Sequence, residues 1–158
     1  MQKGLLEGMQ AGAVAGYPVT DVKITVFDGS YHDVDSSEIA FKIAAARALR
    51  EGLANAKPAL LEPLMQVHVS IPDQCLGDIN GDLSHRRGRI VGMDTVDGLQ
   101  VITAEVPLSE LFRYAAELRS LTGGQGSFEM EFCRYEQVPQ NVAQKIIAAA
   151  DKKQEQDS

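Results

Sequence analysis

Between Leu61 and Tyr135 the spacing of apolar residues switches repeatedly between the two-residue period of a strand and the 3.6-residue period of a helix, and this narrows the possible folds most. In LLEPLMQVHVSIP, Met65, Val67, Val69 and Ile71 face one way while Gln66, His68 and Ser70 face the other, which predicts a strand with one solvated face. Pro72 opens a helix with Leu76, Ile79 and Leu83 as its buried stripe. Gly88 ends it, and a cationic last turn complements the negative helix end. RIVGMDT and LQVITAEV flank Val96-Asp97-Gly98, and Asp-Gly between two apolar runs predicts a hairpin. After Pro107, the residues Leu108, Leu111, Phe112, Ala115 and Leu118 mark a second amphipathic helix that stops at Gly123-Gly124. GSFEMEFCRY sets Phe128, Met130 and Phe132 against Glu129 and Glu131, a last strand. Strand, helix, strand, strand, helix, strand is the order of the split βαβ, ferredoxin-like sandwich, so residues 58–138 are expected to form an α+β domain.

Residues 1–57 are organised differently. They offer a short apolar-rich helix candidate, then one strand at 19–28, where Val22, Ile24 and Val26 alternate. A long helix follows, with Asp35 and Glu38 as a capping box. Its apolar face carries Ile39, Ile43 and Ala46, flanked by Phe41, Ala45 and Leu49, up to a stop at Gly52. A lone strand cannot satisfy its own backbone groups, so the expectation is that this is the later part of a domain whose other strands precede Met1. Beyond residue 138, Val142, Ile146 and Ala149 predict a short terminal helix, and the polar DKKQEQDS is expected to be disordered.

Composition excludes several classes. With 44% hydrophobic residues in 158, the chain can build a real core. No apolar run is long enough for a membrane span, and MQKGLLEGMQ lacks a signal-peptide pattern, so the expected place is the cytoplasm. Cys75 and Cys133 lie far apart in apolar patterns and are expected to be buried thiols. A net charge of −7 and a pI near 4.9 oppose nucleic-acid binding by bulk electrostatics. The charge is uneven, however: His85, Arg86, Arg87 and Arg89 gather at one turn, while Asp28, Asp33, Asp35 and Glu38 crowd the loop before the long helix.

That loop, GSYHDVDSSE, invites a catalytic reading, with His32 as base and Asp33 orienting it. Adjacent residues rarely point the same way and no nucleophile is in view, so an exposed contact loop is preferred. His68, on a polar strand face, and His85, in a helix-ending turn, read as solvated structural residues. Gly123, Gly124 and Gly126 follow a helix and precede a strand, the reverse of a phosphate loop. Arg86, Arg87 and Arg89, with Arg113 and Arg119 on the other helix, read either as phosphate contacts or as solvated helix termini, and both readings stay open.

Taken together, AGYPVTDVKITVFDGSYHDVDSSEIAFKIAA, LLEPLMQVHVSIP, GDINGDLSHRRGRIVGM and AEVPLSELFRYAAELRSLTGGQGSFEMEF closely resemble the C-terminal part of bacterial translation elongation factor G, from about residue 4 to about residue 148. The resemblance implies that residues 1–57 are the C-terminal half of domain IV, an α/β unit of the ribosomal protein S5 domain 2-like kind. It makes 58–138 domain V and 139–158 a C-terminal helix and tail. It places the GTP and Mg sites in upstream domains of the parent, leaving this part with no cofactor and no catalytic residue. The family promotes GTP-dependent translocation of tRNA and mRNA on the ribosome. By that resemblance Gly29, Ser30, Tyr31, His32 and Asp33 form the tip loop that meets the tRNA–mRNA duplex or the 16S rRNA decoding region. Arg86, Arg87 and Arg89 become candidates for 23S rRNA near the stalk base. A related factor acting mainly in ribosome recycling fits the same residues. Of the rivals, a free-standing ligand sensor would need a pocket with converging polar groups, and a hydrolase would need turnover at His32 and Asp33. Self-association along the exposed strand edge is a further expectation.

Overall fold

A computed structural model describes residues 1–34 and 36–156. The chain divides into two compact units, one of Leu61–Gln137 and one of Met1–Leu60 with the segment from Val138 onward.

The Leu61–Gln137 unit is an α+β, ferredoxin-like sandwich. Strands β1 (Leu61–Ile71), β2 (Arg89–Val96), β3 (Leu99–Pro107) and β4 (Ser127–Gln137) form one antiparallel sheet in the order β2-β3-β1-β4. Helices α3 (Leu76–His85) and α4 (Tyr114–Leu121) provide the second layer. Register pairs Val67 with Ala104 and Met130, and Val69 with Ile102 and Phe128, so these side chains share the helix-bearing face. Val67, Val69, Ile71, Ile79, Leu83, Ile102, Ala104, Val106, Tyr114 and Leu118 are fully or almost fully buried in one cluster. Each large side chain there contributes about 1.5–3 kcal/mol by leaving water. The Tyr114 ring meets Phe128 edge-on at 4.9 Å. The β2–β3 connection is a two-residue turn with positive φ at Asp97 and Gly98, and Val96 pairs with Leu99.

Several expected details change. Leu108–Glu110 is a 3₁₀ turn, and α4 begins only at Tyr114. The tighter turn shifts the helical phase, so Leu111, Tyr114 and Leu118 go inward while Phe112 is 84% exposed and Ala115 is exposed. Cys75 is buried, but Cys133 is only half-buried, at an irregularity where β4 shifts register against β1. Met130 and Phe132 lie on the core face of an edge strand and remain about half exposed.

In the other unit, α1 (Gln2–Ala11) packs on α2 (Glu38–Asn55). Their approach is close: a Cβ on Gly4 would lie 2.2 Å from the Lys42 carbonyl oxygen. Ala45 and Leu49 are buried, and Lys42 bonds Glu7 at 2.7 Å across the pair. The helix α2 is capped by Ser37, whose hydroxyl accepts from Ala40 N at 3.1 Å. The expected cap, Asp35, lies outside the described residues. The helix passes through Gly52 to Asn55, and positive φ at Lys57 followed by Pro58 turns the chain away instead.

Residues 19–28 form no ladder: a bend with positive φ at Asp21 interrupts them, and among the described residues no second strand lies beside them. The terminal helix α5 (Gln140–Gln156) is longer than expected: the polar segment from Asp151, expected to be disordered, continues it to Gln156, with Asp157 and Ser158 outside the described residues. Val138 N donates to Leu60 O at 2.9 Å, which ties this helix's start to its own unit.

Candidate nucleic-acid interface

The loop before α2 is shaped by local bonds that occupy its backbone and leave its side chains outward. The Asp28 carboxylate accepts from Gly29 N at 2.7 Å. His32 N donates to Ser36 Oγ at 2.7 Å and Ser36 N donates back to His32 O at 3.0 Å, a reciprocal pair that closes the turn through Asp33 and Val34. The Tyr31 ring lies parallel to that of Phe41 at 6.4 Å, which links the loop to the first turns of α2. Gly29, Ser30, Tyr31, His32 and Asp33 are all exposed, and Phe27 and Val34 on either side are 94% and 99% exposed. This is a projecting, locally braced surface with aromatic, imidazole and carboxylate groups available for contact. Catalysis by His32 and Asp33 gains no support from it, since the bonds found at His32 are made by its backbone and serve the turn.

The second candidate cluster divides. Arg86 is 13% exposed, lies 4.9 Å over the Tyr114 ring, and donates to both Asp82 oxygens, to the Glu110 carbonyl at 2.6 Å and to Glu117. Its charged form is favoured chiefly by the Asp82 hydrogen bond, against the cost of burial. Arg87 forms a bidentate pair with Glu62 at 2.7 and 2.9 Å and donates to Glu110 at 3.0 Å. Both guanidiniums are thereby committed to joining α3, β1 and the turn before α4. Arg89 is 68% exposed on edge strand β2 and pairs with Glu105. Arg134 reaches the same carboxylate from β4 at 2.8 and 2.9 Å. The hydrogen bonds from Arg134 and then Arg89 lower the Glu105 pKa to about 2.

The α3 end that carries these arginines adopts a six-residue closing turn in which Gly88 N donates to Leu83 O at 2.8 Å and Arg87 N to Ser84 O at 3.2 Å. Arg87, with φ of 58°, takes the left-handed position usual for glycine. Gly88 is fixed for another reason: a Cβ there would lie 2.5 Å from Leu83 O. At the other helix, Gly124 N donates to Arg119 O at 2.8 Å, so the glycines at 123 and 124 close a helix end.

His68 bonds Thr103 Oγ1 through Nδ1 at 3.1 Å, and His85 Nδ1 lies 2.8 Å from Gly81 O, both local structural contacts. Arg113 and Arg119 are exposed. Among the described residues, no group of three or more His, Cys, Asp or Glu side chains is placed to hold a metal ion, and no helix is long and apolar enough to cross a membrane. A cleft of about 330 Å³ in the Met1–Leu60 unit is lined by Ala15, Tyr17, Ile146, Ala149, Ala150 and Lys153, which lacks the converging polar groups a sensor pocket needs. Sequence reasoning missed the commitment of Arg86 and Arg87. The signal was the spacing Asp82 to Arg86, an i, i+4 pair in one helix.

Residues 1–57 match the model for elongation factor G, domain IV, and residues 59–146 match that for the elongation factor G C-terminus. A crystal structure of a protein from Thermus thermophilus is 44% identical, with a TM-score of 0.83 over 96% of this chain. The chain spans 23% of that protein's length. With both of its family matches in the same order along the sequence, the chain belongs to the elongation factor G family.

Proposed function

We propose that this chain is the ribosome-contacting end of a translation factor that promotes GTP-dependent translocation of tRNA and mRNA. The observation that carries the reading is the braced, outward loop Gly29–Asp33 on a segment matched to domain IV. Its part in the work is contact. His32 and Tyr31 offer a hydrogen-bonding ring and a stacking face to unpaired or splayed RNA, the features by which single-stranded and irregular RNA is recognised. Asp33 limits bulk attraction to phosphate and keeps the contact reversible. In the C-terminal unit, Arg89 is the candidate for 23S rRNA contact, because its guanidinium is exposed, while Arg86 and Arg87 hold the fold. On this reading the chain performs no catalysis itself. GTP and Mg belong to other domains of the whole factor, which works in the cytoplasm.

Chemical footprinting tests this with a full-length factor carrying the present residues, stalled on ribosomes. Protection of decoding-region 16S rRNA is expected with the native loop and is expected to weaken with His32→Ala. Protection identical in both would remove His32 from the interface.

A further inference from the structure

Glycine follows an aspartate or asparagine at three places, Asp28-Gly29, Asn80-Gly81 and Asp97-Gly98. Such a pair can close on itself, because no glycine side chain hinders attack by its nitrogen on the preceding carboxyl or amide carbon. The fold treats the three pairs differently. Asn80-Gly81 lies inside α3, where the Ser84 and His85 side chains bond the Asn80 and Gly81 carbonyls at 2.8 Å. Helical backbone there holds the Gly81 nitrogen away from the Asn80 side-chain carbon. Asp97-Gly98 is the β2–β3 turn, with φ of 51° at Asp97 and 80° at Gly98. Left-handed backbone at Asp97 likewise turns the next nitrogen away from the side chain. At Asp28-Gly29 the carboxylate is already folded onto that nitrogen: Gly29 N donates to Asp28 Oδ1 at 2.7 Å. Both residues are exposed, and a Cβ on Gly29 would meet nothing within 4 Å.

The geometry points to Asp28 as a site of spontaneous isomerisation to isoaspartate. The Gly29 nitrogen gives up its proton to solvent and attacks Cγ of the protonated Asp28 carboxyl. The new N–C bond closes a succinimide ring, and the carboxyl hydroxyl leaves as water. Water then reopens the ring. Breaking the bond from the nitrogen to Cγ restores aspartate, whereas breaking the bond from the nitrogen to the main-chain carbonyl carbon routes the chain through Cβ and Cγ and leaves the α-carboxylate as the branch. The water lost in the first step is regained in the second, and no oxidant or cofactor enters. Placement of the reacting groups against each other supplies what the other two pairs lack. The product carries an additional methylene in its main chain directly ahead of the contact loop Gly29–Asp33.

The test is peptide mapping of the full chain, aged in native buffer and in urea. Isoaspartate at Asp28 leaves the mass of the 24–42 tryptic peptide unchanged, shifts its retention, and is located by electron-transfer fragmentation. In urea, where all three pairs are free, Asn80 is expected to react fastest, since an amide expels ammonia more readily than a carboxyl expels water. In the native chain the order is expected to reverse, with Asp28 converting at least about tenfold faster than Asn80 or Asp97. Gly29→Ala, whose methyl fits the open space, is expected to suppress conversion at Asp28 at least about tenfold with unchanged helical circular dichroism. A native chain in which Asn80 or Asp97 converts as fast as Asp28 overturns the proposal. So does an Asp28 that stays intact in the native chain, or one that converts as readily in Gly29→Ala.

Discussion

Arg87 is the residue where two opposing effects meet. Its left-handed backbone costs a non-glycine residue about 1–2 kcal/mol, while its side chain joins Glu62 and Glu110 from separate elements. Replacement by alanine keeps the strain and loses the bonds, leaving the largely covered Glu62 unpaired. Arg87→Ala is therefore expected to destabilise the chain by about 1–3 kcal/mol in urea unfolding. Arg87→Gly loses the same bonds but relieves the backbone, so it is expected to cost about 1 kcal/mol less than Arg87→Ala. Equal losses would mean the strain is relaxed in solution. Glu105 makes a prediction about pH. Its carboxyl is lowered from 4.5 to about 2 by Arg134 and Arg89, so the folded state favours the charged form. The stabilisation it contributes is present in full above about pH 4.5, fades as pH falls, and is gone below about pH 2. The gap in stability between the native chain and Glu105→Gln, followed by thermal unfolding from pH 7 downward, is expected to close across that window. A gap that persists below pH 2 would assign it to packing.

At the scale of elements, what could be read from the sequence depended on whether an element carries its partner with it. The four strands of the sandwich and the Asp97-Gly98 turn were legible because their alternation and turn residues report a local geometry that the sheet then uses. Phe112 was misplaced because a three-residue 3₁₀ turn advanced the phase before α4 began, and periodicity alone carries no sign of that. The strand pattern at 19–28 was legible as a pattern, yet a ladder needs a neighbour, and none lies among the described residues. Of the interface candidates, the exposure of Gly29–Asp33 was legible from its turn chemistry, whereas the burial of Arg86 beneath α4 depends on residues more than twenty positions away. The α1–α2 contact was hidden in the glycines Gly4 and Gly8, whose spacing of four residues puts them on one helix face. Gly4→Ala would place a methyl against the Lys42 carbonyl and force the helices apart. It is expected to lower stability by about 1–3 kcal/mol and to raise hydrogen exchange in α1 and α2 while the sandwich is unaffected. Uniform exchange in all elements would show that the two units unfold together.

At the scale of the whole molecule, two units with separate cores divide the work expected of them. The sandwich is held by a continuous buried cluster and by arginines bound to several acids, which suits a domain that keeps its shape under load. The other unit presents the proposed contact residues Gly29–Asp33 on a loop closed by two hydrogen bonds between His32 and Ser36. An acidic chain can serve an RNA machine in this way, because position comes from shape and a few contacts, with little drawn from net charge. The most direct test is single-round translocation timed on ribosomes with a full-length factor carrying these residues, native or with His32→Ala, at fixed salt. A translocation step slowed at least about tenfold, equivalent to about 1.4 kcal/mol at the barrier, with GTP hydrolysis unchanged, is the predicted result. Equal translocation rates would contradict the placement of His32 at the working tip.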